Sequence, residues 1–326
     1  MNNIKLVFDA KLKKEIDKLY NFLESINFYK SHIKNKDRRH NINYGEIGKT
    51  GLVVHQYPYR VFKKKNGGVN FGCPLCKTIQ GAKNTPMYKG TNLLWRGYII
   101  RANDFPYMTN HLLILSSNHN HGLNKMGTQK ILSHNYNVLL DMIDFHQIIG
   151  KGTLYFNHLH GNSQHHFHFH YTTSSLPIET FIYEEINSNS SKFKTKNNTN
   201  IIIFNHTEKV CFNGIYFYGN HTQLAKDVVT FIKKIIKMKY QYNIVILPPQ
   251  SNSNLHSANL ILYIRDKSSL SPNSGEYGAS IVSGIYTIPI EKKSIKSTKI
   301  IKQVQKMCKT SIIKPTKDII NHVFKL

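Results

Sequence analysis

The sequence predicts an α+β fold made of two like units, each an antiparallel sheet with a packed helix. Three observations carry that expectation. Apolar runs of strand length are interleaved with helix-length amphipathic stretches. The order strand, strand, helix, strand, strand occurs once before and once after a polar stretch around Ser188 to Ser191. And one run, His166-Phe167-His168-Phe169-His170-Tyr171, alternates strictly, so its imidazoles share one face of a strand and its aromatic rings the other.

Taken in order, Asp9 to Phe28 places Leu12, Ile16, Leu19, Leu23 and Ile26 at spacings of four and three, with Asp9 as N-cap, which predicts an amphipathic helix. It is expected to pack on the core, a homodimer contact being the alternative. Leu52 to Val54 and Tyr59 to Phe62 read as short strands before the turn at Asn66-Gly67-Gly68. Trp95 to Ala102 and His111 to Leu115 are expected to pair as a hairpin. Thr128 to Ile149 carries a helical face stopped by Gly150, and Thr153 to Asn157 is the next strand. The loop His158 to Gln164 then turns into the histidine run.

Beyond Pro177 the chain becomes polar, and residues 185–200 are expected to be a flexible connector. Val210 to Phe212 and Ile215 to Phe217 flank Asn213-Gly214, a hairpin turn sequence. A helical face over Leu224, Val228, Phe231, Ile232 and Ile235 leads to strands at Asn243 to Leu247 and Leu260 to Arg265. Ser297 to Cys308 reads as a last helix, and Pro315 as the end of regular structure. The division expected is a helical extension (1–50), a first unit (51–184), the connector (185–200) and a second unit without the histidines (201–326).

The chain of 326 residues carries 44 Lys+Arg against 18 Asp+Glu, a formal charge of +26. Such a surface draws in anions, whether polyphosphates or nucleic acid. The competing explanation is coding bias, since Lys, Asn, Ile and Tyr rise together in A+T-rich genomes. Cys73, Cys76, Cys211 and Cys308 are too few for a disulfide framework in a chain this long. With no apolar leader and no uninterrupted membrane-length run, a cytoplasmic protein with no membrane contact is expected.

Three imidazoles on one strand face can be metal ligands, or a nucleophile between two groups that handle phosphate oxygens, or simply a histidine-rich strand in a chain with 18 histidines. The motif as a whole resembles the histidine-triad (HIT-like) superfamily. Its lead-in, Gly161-x-Ser163-Gln164-x-His166-x-His168, is similar to the branch containing galactose-1-phosphate uridylyltransferase and the diadenosine tetraphosphate phosphorylases. In that branch one half of a duplicated fold keeps the catalytic triplet. The resemblance implies a nucleotidyltransferase or phosphorylase acting at the α-phosphate of a nucleotide sugar or dinucleoside polyphosphate. It casts His168 as the nucleophile, and Ser163, Gln164 and His170 as donors to the phosphate oxygens. Asn157, Gly161 and Asn162 are the accompanying substrate-binding candidates.

The branch carries glutamine where this chain has His170, whereas hydrolases and scavenger decapping enzymes of the superfamily carry histidine there. Hydrolysis of dinucleotides or RNA cap fragments is therefore the alternative, and a non-catalytic basic module binding RNA or cap is a third reading. The resemblance also implies a structural zinc. Cys73-Pro74-Leu75-Cys76, His119 at the end of the strand that follows, and His166 make up a Cys2His2 set, with His121 as substitute for His119.

Overall fold

The computed structural model describes residues 4–25, 53–57, 75, 92–103, 108, 110–117, 135–158, 166–179, 181–182, 192–205, 213–248, 257–266, 285–289 and 314–324. Its main feature is an 11-stranded sheet. In chain order its strands are β1 (Ile4–Leu6), β3 (Asn92–Trp95), β4 (Tyr98–Ala102), β5 (Leu112–Ser116), β6 (Thr153–Asn157), β7 (His168–Thr172), β8 (Lys192–Lys194), β9 (Asn200–Phe204), β10 (Gly214–Asn220), β11 (Gln241–Leu247) and β12 (Ser257–Arg265). The separate strands β2 (Val53–Tyr57) and β13 (Ile285–Pro289) pair in parallel. The helices are α1 (Asp9–Ser25), α2 (Tyr136–Ile149), α3 (His221–Lys237) and α4 (Lys317–Phe324).

Across the sheet the order is β1-β3-β4-β5-β7-β6-β11-β12-β10-β9-β8. The five strands of the first half, β3 to β7, thus follow the same plan as the five of the second, β8 to β12. In each, three antiparallel neighbours are followed by a helix, after which the fifth strand inserts between the third and the fourth. The halves meet where β6 pairs antiparallel with β11, Asn157 opposite Asn243 and Tyr155 opposite Val245. The fold is α+β, with the four helices on one face of the sheet.

Strand alternation decides which face they cover. Phe167, Phe169 and Tyr171 join Leu154, Phe156, Ile244, Ile246, Leu260 and Leu262 in the core beneath α1, α2 and α3. Full burial of each such side chain contributes on the order of 2 kcal/mol. Asn135 caps α2 by accepting from the Asn137 amide, and Gly150 ends it in the left-handed conformation at φ 72°. Gly152, φ 75°, is pressed against the histidine strand: a Cβ there would lie 2.4 Å from the Thr172 carbonyl oxygen.

The structure corrects several expectations. Trp95 to Ala102 is not one strand, because Arg96 (φ 45°) and Gly97 (φ 80°) turn the chain between β3 and β4. Arg96 donates to Asp141 and Asp144 of α2 and to Asp9, and Asp9 also accepts from the Trp95 indole. The Asp9 carboxylate thus ties α1 to the β3–β4 turn. The first helix packs on the core as expected, with Leu12, Ile16, Leu19 and Leu23 in the main cluster, while β1 before it pairs with β3. Gly214 is not a turn residue either: it sits in β10 opposite Phe204, whose ring fills the space a side chain would need.

The expected connector contains the edge strand β8, whose turn is fastened where Thr195 and Asn197 donate to Asp227 of α3. Pro315 does not end the fold: it precedes a further helix, α4, at whose start Thr316 accepts from the amides of Ile319 and Ile320. Tyr59–Phe62, Asn66–Gly68, 128–134, 210–212 and 297–308 lie outside the described residues. Among the described residues no helix is long and apolar enough to cross a membrane.

His146 closes the α2–β6 connection by donating from Nε2 to the Gly152 carbonyl at 2.7 Å. Burial pushes its pKa down to about 4, against the raising effect of that carbonyl. The unfolded chain takes up this proton near its ordinary pKa of 6.5 while the folded chain refuses it until about 4. Stability is therefore fully present above 6.5, falls as pH drops through that window, and levels off below it. The whole effect is on the order of 3 kcal/mol. Urea unfolding at neutral pH and near pH 5 should show His146→Gln losing about 2 kcal/mol less than the parent between the two conditions.

Candidate active site

The helix-free face of the sheet is polar at its centre. There β7 lies between β5 and β6, with His168 opposite Leu115 and His170 between Leu113 and Tyr155. One step along the same register puts Asn157 beside His168, with Asn243 and Tyr263 of the second half continuing that row. The neighbouring row runs Arg101, Leu113, His170, Tyr155.

Burial on the aromatic side fixes where the imidazoles stand. His166 and His168 are buried and His170 is half-buried. His168 Nδ1 lies 2.7 Å from the backbone oxygen of His166. A carbonyl only accepts, so Nδ1 carries the hydrogen and Nε2 the lone pair. That is the protonation state a nucleophilic imidazole needs. His166 Nε2 donates to the Ser116 carbonyl at 2.7 Å, which turns its Nδ1 into the nitrogen able to ligate a metal.

His170 is held by residues the motif does not contain. Its ring stacks on Tyr155 with centroids 4.7 Å apart and planes 3° from parallel. Its Nδ1 is 2.9 Å from Nε2 of His111, which also lies 3.1 Å from the Tyr155 hydroxyl. The Asn103 amide nitrogen approaches both nitrogens of His111, at 3.3 Å from Nδ1 and 3.1 Å from Nε2. If Nε2 of His111 were the acceptor, the Asn103 amide, the Tyr155 hydroxyl and His170 Nδ1–H would converge on one lone pair. A single nitrogen cannot serve all three. An arrangement that satisfies these contacts has Asn103 donating to His111 Nδ1 and His111 Nε2–H donating to His170 Nδ1. His170 Nε2–H is then a donor directed away from this chain of contacts.

Of the residues nominated from sequence, Asn157, His166, His168 and His170 are therefore together on one face. Ser163, Gln164, Gly161, Asn162, Cys73, Cys76, His119 and His121 lie outside the described residues. Leu75, between the two cysteines, packs against Ile99, Leu113 and Leu115 on the same face as His168. Among the described residues no cluster of three metal-ligating side chains occurs. His111, Asn103 and Tyr155 were missed. The available clue was a histidine one step outside a buried apolar strand, where an aliphatic residue is the default.

No family model and no curated protein matches the chain in sequence. Solved structures do match its fold. The yeast Ap4A phosphorylase Apa2 in complex with AMP is 14% identical, with 94% of this chain and 98% of that one covered at a TM-score of 0.53. An ADP-glucose phosphorylase from Arabidopsis thaliana with bound ADP-glucose is 14% identical over 79% of this chain and 96% of that one, at a TM-score of 0.31. A uridylyltransferase is 13% identical over 64% and 85%, at 0.35. These neighbours are members of the HIT-like superfamily, and the chain carries the HIT-like fold.

The tautomers are directly measurable. Nitrogen-15 spectra of histidine-labelled protein should show His168 protonated at Nδ1 and His170 at Nε2. In His111→Ala the hydrogen-bonded character of His170 Nδ1 should disappear while the His168 resonances keep their type. A His168 protonated at Nε2 would overturn its assignment as a nucleophile.

Proposed function

We propose that this HIT-like fold is a nucleotidyltransferase or phosphorylase acting at the α-phosphate of a nucleotide sugar or dinucleoside polyphosphate. The observation that carries the reading is the His168 Nδ1–H bond to the His166 carbonyl, which leaves the lone pair on Nε2. The fold match to Apa2 across nearly the whole chain supports it. In the proposed reaction His168 Nε2 attacks the α-phosphorus, a P–N bond forms, and the P–O bond to the departing group breaks, that group being a sugar phosphate from a nucleotide sugar or a nucleoside polyphosphate from a dinucleoside polyphosphate. The nucleotidyl-His168 intermediate is then attacked by inorganic phosphate or a sugar phosphate, which restores the free imidazole.

Charge that develops on the phosphoryl oxygens needs donors already in place. His170 Nε2–H is one. Ser163 and Gln164 are proposed as others from their position in the lead-in, with Asn157, Gly161 and Asn162 holding substrate. Hydrolysis, with water as acceptor, is the second reading, favoured by the imidazole at position 170. The halves are read as duplicated units of which only the first is catalytic, a reading supported by their common strand order.

A structural zinc held by Cys73, Cys76, His119 and His166 is proposed with it. His166 fits the role, because its Nε2 is held by the Ser116 carbonyl as the outer nitrogen of a metal-bound histidine usually is. The position of Leu75 against β4 and β5 is also in keeping. Zinc would lock the Cys73–Cys76 turn to the start of the histidine strand. Elemental analysis of protein purified without a nickel column should give one zinc per chain, lost in Cys73→Ser/Cys76→Ser. Full retention in that variant rules out the ligand set.

Intact-protein mass spectrometry after brief exposure to nucleotide sugars, dinucleoside polyphosphates and cap analogues should find an acid-labile nucleotidyl adduct on His168. His168→Ala should lower turnover by at least about 10³-fold with ground-state binding little changed. His170→Gln separates the two readings. A transferase should keep much of its activity, since glutamine still donates, whereas a hydrolase that moves a proton through His170 should fall by about 10²-fold or more. Unchanged turnover in His168→Ala would sink both.

A further inference from the structure

The positive charge is not evenly spread. Residues 1–190 hold 23 Lys and Arg against 12 Asp and Glu, and residues 191–326 hold 21 against six, so both halves are basic and the second has the higher charge density. In the first half Lys5 and Lys18 pair with Glu15, and Lys151 lies near Asp17. In the second half Asp227 is buried and committed to Thr195 and Asn197.

The lysines of the second half also converge. On α3, Lys226, Thr230, Lys233 and Lys237 are exposed at spacings of four, three and four, a single outward stripe about 16 Å long. The Asp227 bonds bring the β8–β9 turn, with exposed Lys194 and Lys196, onto the same helix. α4 also packs on α3 through Phe324 against Phe231, and its Lys317 lies over the Phe193 ring of β8. The helices lie on the sheet face opposite His168 and His170, so this surface and the histidine face are separate.

We propose that this lysine surface of α3, α4 and the β8–β9 turn is a docking site for the phosphate backbone of single-stranded nucleic acid. Point charges on flexible stems, with only Thr230 between them on the α3 stripe, suit sequence-independent phosphate contact. An anionic membrane is the other polyanion such charge attracts, but interfacial binding also needs apolar side chains that insert. Of the exposed large apolar side chains among the described residues, Leu6, Phe8 and Phe22 belong to the first half, and the lysines are bordered by Met238 and by Tyr136, whose ring Lys226 overlies; neither is an aliphatic or Phe/Trp side chain of the kind that anchors a helix in a bilayer. Because the two faces are separate, the proposal does not depend on nucleotidyl transfer.

Fluorescence anisotropy of the full chain with a labelled single-stranded RNA of about 20 nucleotides, across a salt series, is the test. Affinity should fall linearly with log salt. Lys226→Gln/Lys233→Gln/Lys237→Gln should weaken binding by about tenfold or more at low salt and flatten the slope by about 2. Lys194→Gln/Lys196→Gln should weaken it by a smaller factor. Lys11→Gln/Lys13→Gln/Lys14→Gln on α1 should leave it unchanged, and all three variants should melt like the parent. Absence of RNA binding at low salt overturns the proposal, as does an equal loss in the α1 variant. Tighter capture by phosphatidylserine vesicles than by RNA, lost in the α3 variant, would reassign the surface to a membrane.

Discussion

Everything at the candidate site depends on one constraint, the burial of Phe167, Phe169 and Tyr171 beneath the helices. With period-2 alternation, fixing one face of a strand fixes the other. A slip of one residue would turn three aromatic rings outward and three imidazoles into the core, at a cost of several kcal/mol in lost burial alone. Phe145 of α2 meets Tyr171 edge-on at 5.7 Å, and Phe156 of β6 lies 5.0 Å from Phe169. Gly152 lets the α2–β6 connection touch the Thr172 carbonyl, closing the other end of the strand. The imidazoles are thus aimed by groups on the helix side of the sheet.

The second half extends this frame without repeating its chemistry. The step from the end of α2 to β6, Ile149 to Thr153, matches that from α3 to β11, Lys237 to Gln241. Thr153 stands opposite Thr172, and Gln241 opposite Arg265. Carrying that register along places Ile261 where the first half has His168, and Tyr263 where it has His170. An isoleucine offers no lone pair, so the position that matches His168 in the second half cannot take the role proposed for His168. What the second half supplies to the histidine face is a wall: Asn243 and Tyr263 continue the His168 row across the β6–β11 junction.

Much of this was legible from the chain. The histidine strand, the faces of α1 and α3, the Gly150 stop and the strands at Thr153, Asn243 and Leu260 follow from periodicity and caps, which are local. The failures have one cause, a distant partner that local sequence does not reveal. Gly214 is glycine because the Phe204 ring lies over it, and its turn-like sequence is incidental. Arg96 accepts a left-handed backbone at a hairpin tip because Asp9, Asp141 and Asp144 hold its side chain from two helices. Lys192 to Lys194 looks like linker, yet lysines suit an edge strand whose outer side must not recruit another chain. His111 was overlooked for the same reason, since its meaning comes from His170, which the sheet brings beside it.

His111 also bears on why a histidine can stand where a related motif has glutamine. Glutamine offers a phosphate oxygen a neutral N–H donor that cannot lose its proton. A free imidazole offers either a donor or an acceptor, and so is ambiguous at that position. The contacts from Asn103 through His111 to His170 Nδ1 remove the ambiguity, because each nitrogen that accepts forces its ring partner to carry the hydrogen. Tyr155, stacked nearly parallel on His170, holds the ring plane while the hydrogen bond holds its rotation. A histidine restrained in this way presents the same neutral donor as glutamine, but with a proton able to leave. Under the proposed chemistry the position can serve transfer as glutamine does, so the imidazole at 170 does not by itself select hydrolysis.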